Sequence, residues 1–458
     1  MTISQPLYNR IAIIGGGPSG LAVAKALALE TVKFDCVDVF ERRDNIGGVW
    51  YHGGNKALTR PTIPSTSPVD EEIVSTEATV YDRFFSPIYE HMETNITSKI
   101  MEYNGIEFPS NVPKYPTREQ VEYYIQKYAT TIPDEVNIRL NADVQRVEKI
   151  GDTWVVQIED TISHIIQEIK YDAIVVANGH FNVPYIPDVP GLKEWNGVLP
   201  GSILHSKYYE SPKQYRKKRV LVVGNSASGV DISTQLSAYA EVFVSVKDLD
   251  KIQLRNDLIK YIGLIEKYDH VNRSASMNDE MITDIDVVIF CTGYLYTFPF
   301  LKSINLITDG FQVNNLYKQM FYIDDPSISF VALLRNVVPM PISESQGAVI
   351  ARVYSGRLVL PSKHDMKQDY YSELALKGSG SDFHNFAFPK DVNYCHHLQQ
   401  IIDDNNLTQP GLLAPVWDDE RTYHRSQTKV EKSKRLEKLV QHVQRLRETG
   451  EEFSLPDY

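Results

Sequence analysis

The chain has 458 residues, of which 42% are hydrophobic and 23% are charged, and its net charge at pH 7 is −12. This length predicts two or three domains, and the acidic balance argues against a nucleic-acid binder, because phosphate neutralisation needs a basic surface. The three cysteines lie far apart in sequence, which argues against a disulfide framework or a metal site and indicates a reducing, cytoplasmic compartment. No secretory signal and no apolar run long enough to cross a bilayer is visible in the sequence.

The first predicted element is a βαβ unit near the N-terminus. The buried strand "RIAIIGGG" leads into the helix "PSGLAVAKALALE", and "FDCVDVFE" returns as a parallel strand that ends in Glu41. Gly15, Gly17 and Gly20 have the spacing G-x-G-x-x-G, which allows a tight turn, the approach of a pyrophosphate and close helix packing. Glu41 lies where a carboxylate accepts hydrogen bonds from ribose hydroxyls. The predicted dinucleotide-binding residues are Gly15, Gly16, Gly17, Pro18, Ser19, Gly20 and Glu41.

The segments that follow this unit are mostly short. "GGVW", from Gly47 to Trp50, is typical of a turn with a core tryptophan, and residues 51–115 show no sustained hydrophobic period. "TREQVEYYIQKYATTI" is predicted as an amphipathic helix with Thr117 as its N-cap. The stretches "VNIRLNADVQRVEKI", "TWVVQIED" and "HIIQEIKY" have the spacing of a β-meander, and "YDAIVVANGH" is predicted as a buried strand.

A second strand, turn and helix is predicted at "RVLVVGNSASGVD". Ser226 takes the middle glycine position there, where its hydroxyl can donate to a phosphate that sits slightly further out. The next strand, "AEVFVSVKD", shows Ser245 and Lys247 and no acid at the point matching Glu41. This favours a cofactor with a 2′-phosphate, although a lysine at a strand end is commonly just solvated. The predicted NADPH-binding residues are Gly224, Ser226, Ala227, Ser228, Gly229, Ser245 and Lys247.

Two similar segments bracket this second nucleotide unit. "DIDVVIFCTGY" repeats the pattern of "YDAIVVANGH": an acid, a buried strand, small residues and an aromatic side chain. We therefore predict an α/β protein with two dinucleotide-binding, Rossmann-like domains. In this interpretation an NADPH-binding domain of residues 181–285 is inserted into an FAD-binding domain of residues 1–180 and 286–458. A tightly held flavin and a diffusible hydride donor in one chain explain the presence of two sites.

One segment indicates the class of flavoprotein. A flavin-dependent disulfide reductase needs a nearby cysteine pair such as C-x-x-C, which this chain lacks. "LPGSILHSKYY" resembles the F-x-G-x-x-x-H-x-x-x-[FY] fingerprint of the flavin-containing monooxygenases through Gly201, His205 and Tyr209, with Leu199 in place of the leading Phe. The related Baeyer–Villiger enzymes end this motif in Trp followed by Pro or Asp, where this chain has Tyr209 and Glu210.

The resemblance to this family extends over nearly the whole chain. "GNSASGVD" is similar to G-x-G-N-S-G-x-D, "FCTGY" to A-T-G-[YF], and "ETNITSKIMEY" to the segment that carries the family's active-site asparagine. "PISESQGAVIARVYSGRLVLPS" resembles the P-x-x-E-x-Q segment beside the flavin. Without the C-terminal hydrophobic anchor of the animal enzymes, the chain resembles the shorter fungal members. Besides the first glycine turn, the resemblance implies FAD contacts from Gly48, Val49, Trp50, Thr94, Asn95, Glu344 and Gln346.

The resemblance also implies a mechanism. NADPH reduces FAD, oxygen adds to give a 4a-hydroperoxyflavin, and a thiol, sulfide or amine attacks its distal oxygen. Asn95 is the predicted catalytic residue, because a neutral amide can donate to the peroxide without supplying an acidic proton. Without the resemblance, a loop-capping asparagine explains it equally well. For His205, with Gly201 and Tyr209, we predict a structural role in the linker between the domains rather than acid–base catalysis.

Other interpretations stay open at this point. The chain is also compatible with a Baeyer–Villiger or N-hydroxylating monooxygenase, or with a redox sensor that binds nucleotides but turns over poorly because of Ser226. "QTKVEKSKRLEKLVQHVQRLRE" is predicted as an amphipathic helix, and we favour its docking on the chain's own core over a membrane surface. A homo-oligomer and a peripheral contact with the cytoplasmic face of the endoplasmic reticulum are left open.

Overall fold

The computed structural model describes residues 5–252, 255–278 and 280–457. The chain forms two compact units. Unit 1 consists of Met1–Tyr51, Ile96–His180 and Tyr296–Gln427, and unit 2 of His52–Asn95, Phe181–Leu295 and Thr428–Tyr458. Each unit contains a mainly parallel sheet with a glycine-rich strand-to-helix turn, which confirms the α/β prediction with two Rossmann-like regions.

The strands are numbered in chain order over the described residues. They are β1 (Arg10–Ile14), β2 (Cys36–Phe40), β3 (Thr59–Arg60), β4 (Ile73–Val74), β5 (Val136–Arg139), β6 (Ala142–Ile150), β7 (Thr153–Asp160), β8 (Ile166–Tyr171), β9 (Ala173–Val176), β10 (Val183–Pro184), β11 (Ile203–His205), β12 (Arg219–Val223), β13 (Glu241–Ser245), β14 (Ile259–Ile262), β15 (Lys267–Asp269), β16 (Ser274–Met277), β17 (Glu280–Ile282), β18 (Val287–Phe290), β19 (Tyr294–Leu295), β20 (Leu316–Tyr317), β21 (Phe321–Tyr322) and β22 (Ile328–Phe330).

The helices of the described chain are numbered in the same way. The α-helices are α1 (Pro18–Ala28), α2 (Val80–Arg83), α3 (Ser98–Met101), α4 (Arg118–Ala129), α5 (Leu192–Val198), α6 (Ala227–Leu236), α7 (Pro339–Tyr354), α8 (Lys363–Lys377), α9 (Lys390–Asp404), α10 (Asp419–Ser426) and α11 (Thr428–Thr449). Short 3-10 helices span Gly48–Trp50, Lys56–Leu58, Ser206–Tyr208, Pro212–Tyr215, Leu249–Lys251 and Gly380–Asp382.

The main sheet of unit 1 has the strand order β20-β21-β22-β9-β1-β2-β5. Its strands from β22 to β5 are parallel, and β1 is buried because a parallel sheet is covered on both faces. Helix α1 begins at Pro18, whose fixed φ suits a first helical position. Strands β6, β7 and β8 form the predicted antiparallel meander, whereas β5, from the first stretch of that prediction, pairs with β2 in the main sheet. Helix α4 has the predicted Thr117 N-cap, in a capping box with Gln120.

The main sheet of unit 2 has the strand order β11-β18-β12-β13-β14, and all its pairs are parallel. Strand β12 lies between β13 and β18, just as β1 lies between β2 and β9 in unit 1. Helix α6 follows β12 as α1 follows β1. The two units therefore contain the same βαβ arrangement with the same strand neighbours, and each positions a glycine turn at the carboxyl end of its central strand.

The C-terminal helix docks on the chain's own core, as predicted. The apolar stripe of α11 packs against the end of α6 through Leu439, Val443 and Leu446, which cover Ala238. Residues 428–457 lie in unit 2, and so do residues 52–95 and 286–295, whereas the sequence analysis placed all three ranges in the FAD-binding domain. For the C-terminal segment the physical reason is that the narrow apolar face of α11 buries itself on the end of α6, a partner that the periodicity of α11 cannot identify. Among the described residues, no helix combines the length and the apolar character needed to cross a bilayer.

Candidate functional site

The turn after β1 brings strand and helix into close contact at Gly15 and Gly20. Gly15 has a φ of +114°, a conformation that residues with a Cβ rarely adopt. A Cβ at Gly15 would lie 2.4 Å from the carbonyl oxygen of Ala177, and a Cβ at Gly20 would lie 1.9 Å from that of Gly15. Sterics therefore account for the first and last glycines of the motif.

Glu41 closes this turn from the end of β2. Its side chain is buried, with 5% of the residue exposed. Its Oε2 accepts a hydrogen bond from the backbone N of Gly16 at 2.9 Å, and its Oε1 accepts one from the backbone N of Arg43 at 3.1 Å. The carboxylate thus lies against the glycine turn, in the place where an acid binds the ribose of a dinucleotide.

The "GGVW" loop contacts the same turn. The backbone N of Gly47 donates to the carbonyl oxygen of Gly16 at 3.0 Å, and a Cβ at Gly17 would lie 3.2 Å from the Cα of Gly48. Val49 follows in the same 3-10 turn, and the Trp50 ring packs against the main core of unit 1. The structure therefore brings together the two FAD-binding segments predicted at the N-terminal end of the chain.

The N-terminus of α1 is open to an anion. Its N-cap is Gly17, and within the described chain no side chain caps this end. Free N–H groups in the first turn, together with the helix dipole, bind phosphate. The residues present therefore fit the pyrophosphate of FAD. The middle position of the turn is Gly17, which has no side chain that would obstruct the pyrophosphate.

Two residues that the sequence analysis missed hold this turn in place. The Ser343 hydroxyl hydrogen-bonds the Ser19 hydroxyl at 2.8 Å, and the Tyr103 hydroxyl donates to the carbonyl oxygen of Pro18 at 2.9 Å. Both lie in segments that the family resemblance had singled out, "PISESQ" and "ETNITSKIMEY". Their contacts with the turn join residues far apart in sequence, so no local pattern could have identified them.

Glu344 and Gln346 are wholly buried on α7 and contact protein groups. The Glu344 carboxylate accepts hydrogen bonds from the backbone N of Asn104 at 2.7 Å and from the hydroxyl of Tyr128 at 2.9 Å. Gln346 Oε1 accepts from the backbone N of Ala332 at 2.8 Å. Burial raises the pKa of Glu344 to about 7. The geometry therefore favours a supporting role for both side chains over the direct flavin contact that the resemblance implies.

The turn after β12 repeats the geometry of the first turn. Gly224 has a φ of +106°, and a Cβ there would lie 2.6 Å from the carbonyl oxygen of Cys291. A Cβ at Gly229 would lie 2.0 Å from the carbonyl oxygen of Gly224. Ser226, the N-cap of α6, has a φ of −89°, which any residue adopts, and among the described side chains none caps this helix end. The serine substitution is therefore compatible with the turn, which continues into the other two predicted residues, Ala227 and Ser228.

The register of β13 identifies the position that corresponds to Glu41. In unit 1 the first glycine of the turn donates its N–H to the carbonyl oxygen of Phe40, the residue before Glu41. In unit 2 Gly224 donates its N–H to the carbonyl oxygen of Ser245, the residue before Val246. Val246 therefore takes the place of the acid, between Ser245 and Lys247, the two residues that the sequence analysis named.

The register of β13 separates the roles of Ser245 and Lys247, the two residues predicted to bind the 2′-phosphate. Ser245 is only 2% exposed, and its hydroxyl donates to the carbonyl oxygen of Gly263 at 2.9 Å. Its side chain therefore serves the packing of the sheet, which argues against the predicted phosphate contact. Lys247 is exposed just beyond the strand, and its pairing with a 2′-phosphate stays a prediction.

The fingerprint residues lie in the interior of unit 2 or in its turns. His205 is wholly buried, and its Nδ1 accepts a hydrogen bond from the backbone N–H two residues later at 3.2 Å. Burial lowers the pKa of His205 to about 3, so the ring is neutral near pH 7. The hydroxyl of Tyr209 donates to Gln235 at 3.1 Å, and Gly201 has a positive φ in the turn before β11. These features favour the structural role predicted for the fingerprint.

Asn95 is exposed at the end of a buried segment of unit 2. The two preceding residues, Glu93 and Thr94, are almost fully buried. Glu93 forms an ion pair with Arg435 at 2.9 Å, and the carbonyl oxygen of Thr94 accepts a hydrogen bond from Lys432 at 3.2 Å. The sequence analysis missed both basic residues, because 342 residues separate Arg435 from Glu93 along the chain.

Two family models match the chain. The one described as "Flavin-binding monooxygenase-like" matches residues 79–256 and 262–416, and the one described as "NAD(P)-binding Rossmann-like domain" matches residues 13–61. The monooxygenase-like match includes Asn95 and the glycine turn of unit 2. The Rossmann-like match includes Glu41 and the glycine turn of unit 1.

Similar proteins match over both units. The chain is 30% identical to the thiol-specific monooxygenase of Saccharomyces cerevisiae, over 100% of this chain and 99% of that protein. It is 27% identical to the flavin-containing monooxygenase ustF2 of Aspergillus flavus, over 91% of this chain and 97% of that protein. The solved structure of the S-allyl-L-cysteine S-oxygenase from Allium sativum superposes with a TM-score of 0.78 at 25% identity, covering 98% of this chain and 99% of that chain.

Proposed function

This chain belongs to the flavin-containing monooxygenase family, and we propose that it uses NADPH and molecular oxygen to oxygenate thiols and related soft nucleophiles. Its cofactors are FAD and NADPH. For a thiol the balanced reaction is RSH + O2 + NADPH + H+ → RSOH + NADP+ + H2O. An S–O bond forms, the O–O bond breaks, NADPH is oxidised, and the second oxygen atom leaves as water. A sulfide would give a sulfoxide and a tertiary amine an N-oxide.

The observation that carries this proposal is the full-length match to proteins named for sulfur oxygenation. The yeast relative is called a thiol-specific monooxygenase, and the garlic structure is an S-allyl-L-cysteine S-oxygenase. Both cover at least 98% of this chain, so the similarity includes both nucleotide-type turns and the Asn95 segment. Sulfur is therefore the favoured acceptor among the thiols, sulfides and amines that the family resemblance implies.

The chain's own cysteines support an external acceptor. Cys36, Cys291 and Cys395 form no disulfide. Burial raises the pKa of the Cys36 and Cys395 thiols to about 11 and raises the pKa of Cys291 as well. Because the thiolate is the species that exchanges with a disulfide, thiols that stay protonated are unsuited to carry electrons from a flavin. This favours oxygen transfer to a substrate over disulfide reduction.

Each nucleotide turn has a proposed occupant. In unit 1, the N–H groups of the first turn of α1 would hold the FAD pyrophosphate, and Glu41 would accept hydrogen bonds from the ribose. When bound, FAD supplies the redox centre that takes electrons from NADPH and delivers them to oxygen. In unit 2, the N-terminus of α6 would hold the NADPH pyrophosphate, and Lys247 would pair with the 2′-phosphate, since no carboxylate at Val246 repels it.

Asn95 is the proposed catalytic residue. Its side chain is exposed, so it is available to a substrate or cofactor, while Glu93 and Thr94 fix the backbone before it. A primary amide donates hydrogen bonds without giving up a proton at physiological pH. It can therefore stabilise developing negative charge on oxygen without protonating that oxygen. A protonated histidine or a carboxylic acid would protonate it. Preorganised donors of this kind are among the larger contributions to catalysis.

The proposal is tested by aerobic turnover of the purified FAD-loaded protein. NADPH oxidation, oxygen uptake, hydrogen peroxide and oxygenated product are measured with a small thiol, a thioether, a tertiary amine, a primary amine and a cyclic ketone. We expect product from the thiol or the thioether in near-stoichiometric ratio to NADPH. Lactone from the ketone alone would identify a Baeyer–Villiger enzyme, and a hydroxylamine product from a primary amine alone would identify an N-hydroxylating enzyme. Negligible NADPH oxidation with every acceptor would identify a nucleotide-binding sensor.

A further inference from the structure

Two basic side chains of helix α11 bind the two residues immediately before Asn95. Arg435 Nη2 donates to Glu93 Oε2 at 2.9 Å, and Arg435 Nε lies 3.1 Å from each Glu93 carboxylate oxygen. Arg435 is 4% exposed and Glu93 is 3% exposed. One turn earlier on the helix, Lys432 Nζ donates to the carbonyl oxygen of Thr94 at 3.2 Å and lies 3.4 Å from Glu93. We call Glu93, Thr94, Lys432 and Arg435 the α11 clamp.

The C-terminal part of α11 is bound to the end of α6, the helix that follows the second glycine turn. Arg447 Nη1 donates to the carbonyl oxygens of Ser237 at 2.8 Å and Ala240 at 3.2 Å, beyond the last residue of α6. Arg435 and Arg447 are twelve residues apart on one continuous helix, which corresponds to about 18 Å of its length. Because a helix is stiff over this distance, the position of α6 determines where the α11 clamp holds Glu93.

Helix α6 also contacts the same segment directly. The hydroxyl of Tyr89 donates to Asp231, and the Gln235 side-chain amide donates to the carbonyl oxygen of His91 at 3.1 Å. Asp231 lies two residues after Gly229, in the second turn of the helix that begins at the Ser226 N-cap. Residues 89–94 are therefore held by α6 from one side and by α11 at the end nearest Asn95.

We propose that Arg435 and Lys432 are positioning residues for Asn95, and that the α11 clamp couples the placement of Asn95 to the occupancy of the nucleotide turn at α6. This inference rests on the role of Asn95 given under Proposed function. Neither basic residue contacts the reacting atoms. Both act by fixing Glu93 and Thr94, the two residues before Asn95, whose side-chain amide is proposed to contact them.

The chemistry of the α11 clamp indicates that it serves to position the backbone before Asn95 rather than to stabilise the fold. A buried ion pair loses so much hydration that an apolar pair of similar volume often stabilises a fold equally well. What a guanidinium provides in addition is a planar, two-pronged contact that fixes a carboxylate in position and angle. A misplacement of about 1 Å can reduce a catalytic rate by about a hundredfold, so such a contact beside an exposed catalytic loop has a clear use.

The test uses the FAD-loaded full-length protein and four variants. Arg435→Met removes the fork, and Arg435→Lys keeps the charge without the two-pronged geometry. The double variant Glu93→Gln/Arg435→Met also neutralises the buried Glu93 side chain, which in the single variant keeps its charge but loses the guanidinium that faces it. Arg445→Met is the matched control, because it removes an exposed arginine from the same helix. Melting temperature, FAD content, anaerobic flavin reduction by NADPH, and product formed per NADPH are measured for each.

We expect the double variant to recover most of the melting temperature lost by Arg435→Met, to keep its FAD and to be reduced by NADPH within about twofold of the wild type. Its product per NADPH should still fall by about tenfold or more, with the missing electrons recovered as hydrogen peroxide. Arg435→Lys should fall between the double variant and the wild type, and Arg445→Met should match the wild type. If coupling returns together with stability in the double variant, the clamp is merely structural and the inference is wrong.

Hydrogen–deuterium exchange of the amides of residues 92–95 gives a readout that needs no turnover. NADP+ should protect these amides in the wild type and in Arg445→Met, and should lose that effect in the double variant. Equal protection in all three proteins would overturn the coupling between α6 and Asn95. Wild-type protein that oxygenates no acceptor would instead refute the proposed function, and the exchange result would still decide whether the clamp transmits nucleotide binding.

Discussion

Val246 occupies in unit 2 the position that Glu41 occupies in unit 1. Each follows the residue whose carbonyl oxygen accepts the N–H of the first glycine of its turn, Phe40 in one case and Ser245 in the other. Both side chains are buried, but only the carboxylate can bind ribose hydroxyls or repel a 2′-phosphate. Two turns of the same shape thus differ in this one side chain, which we expect to select the nucleotide that each turn binds.

The first prediction concerns Lys247, the exposed cation one residue beyond Val246. Lys247→Glu should weaken NADPH use by about 1–3 kcal/mol in kcat/KM, because it loses a charge-assisted contact and adds repulsion, and should leave NADH use nearly unchanged. Steady-state kinetics with both cofactors measure this. Lys193→Glu, at an exposed position on α5 of the same unit, is the control for net charge. A wild type that uses NADH and NADPH equally well would contradict the assignment.

The second prediction separates Ser245 from the phosphate. Because its buried hydroxyl already donates to the carbonyl oxygen of Gly263, Ser245→Ala should cost about 1 kcal/mol of folding stability. The NADPH-to-NADH ratio of kcat/KM should stay within about twofold of the wild type, or about 0.4 kcal/mol. Denaturant unfolding and kinetics with both cofactors are compared. A large drop in the ratio would return Ser245 to the phosphate site.

The third prediction tests the first glycine turn. Gly17→Val places a branched side chain 3.2 Å or less from the Cα of Gly48 and in the path of a pyrophosphate, so the purified protein should be colourless. Gly197→Val is the control, because a Cβ at Gly197 meets no atom within 4 Å. The ratio of flavin to protein absorbance measures the effect, and circular dichroism checks the fold. A full flavin spectrum in the folded Gly17 variant would mean that FAD binds elsewhere.

The fourth prediction concerns coupling. Asn95→Leu should bind FAD and be reduced by NADPH at the wild-type rate, but product formation should fall by about two to three orders of magnitude, the typical effect of losing one preorganised donor at about 3–4 kcal/mol. Oxygen uptake should continue, with hydrogen peroxide in place of product. Asn272→Leu, which changes an exposed asparagine of the same unit, should behave as the wild type. Undiminished thiol oxygenation would remove Asn95 from the mechanism.

The fifth prediction concerns stability in acid. Burial lowers the pKa of His205 to about 3, below the value of about 6.5 in an unfolded chain, so the unfolded state binds one more proton between these values. The free energy of unfolding should therefore fall as pH drops below about 6.5. In His205→Asn this fall should be shallower by about 1.4 kcal/mol per pH unit between pH 6 and 4. Urea unfolding at several pH values measures the slopes, and parallel slopes would show that the folded protein protonates His205 freely.

Local patterns were sufficient to predict much of this protein. The spacing of Gly15 and Gly20, and of Gly224 and Gly229, predicted both strand-to-helix turns, because the contact of the last glycine with the carbonyl oxygen of the first arises between residues close in sequence. The same holds for the N-cap at Thr117, whose partner is three residues away. The spacing of short strands likewise predicted the meander, since strands that follow one another closely in the chain pair with their neighbours.

Contacts between distant parts of the chain decided the remainder. Val246, between the predicted Ser245 and Lys247, corresponds to Glu41 because backbone hydrogen bonds between neighbouring strands set the register, and a shift of one residue moves every side chain to the other face. Glu344 is committed to Asn104 and Tyr128, more than 200 residues away. Packing α11 on α6 brought Arg435 to Glu93, although neither segment's own periodicity specifies that partner. Periodicity determines which face of an element is buried, whereas only the folded chain determines what covers it.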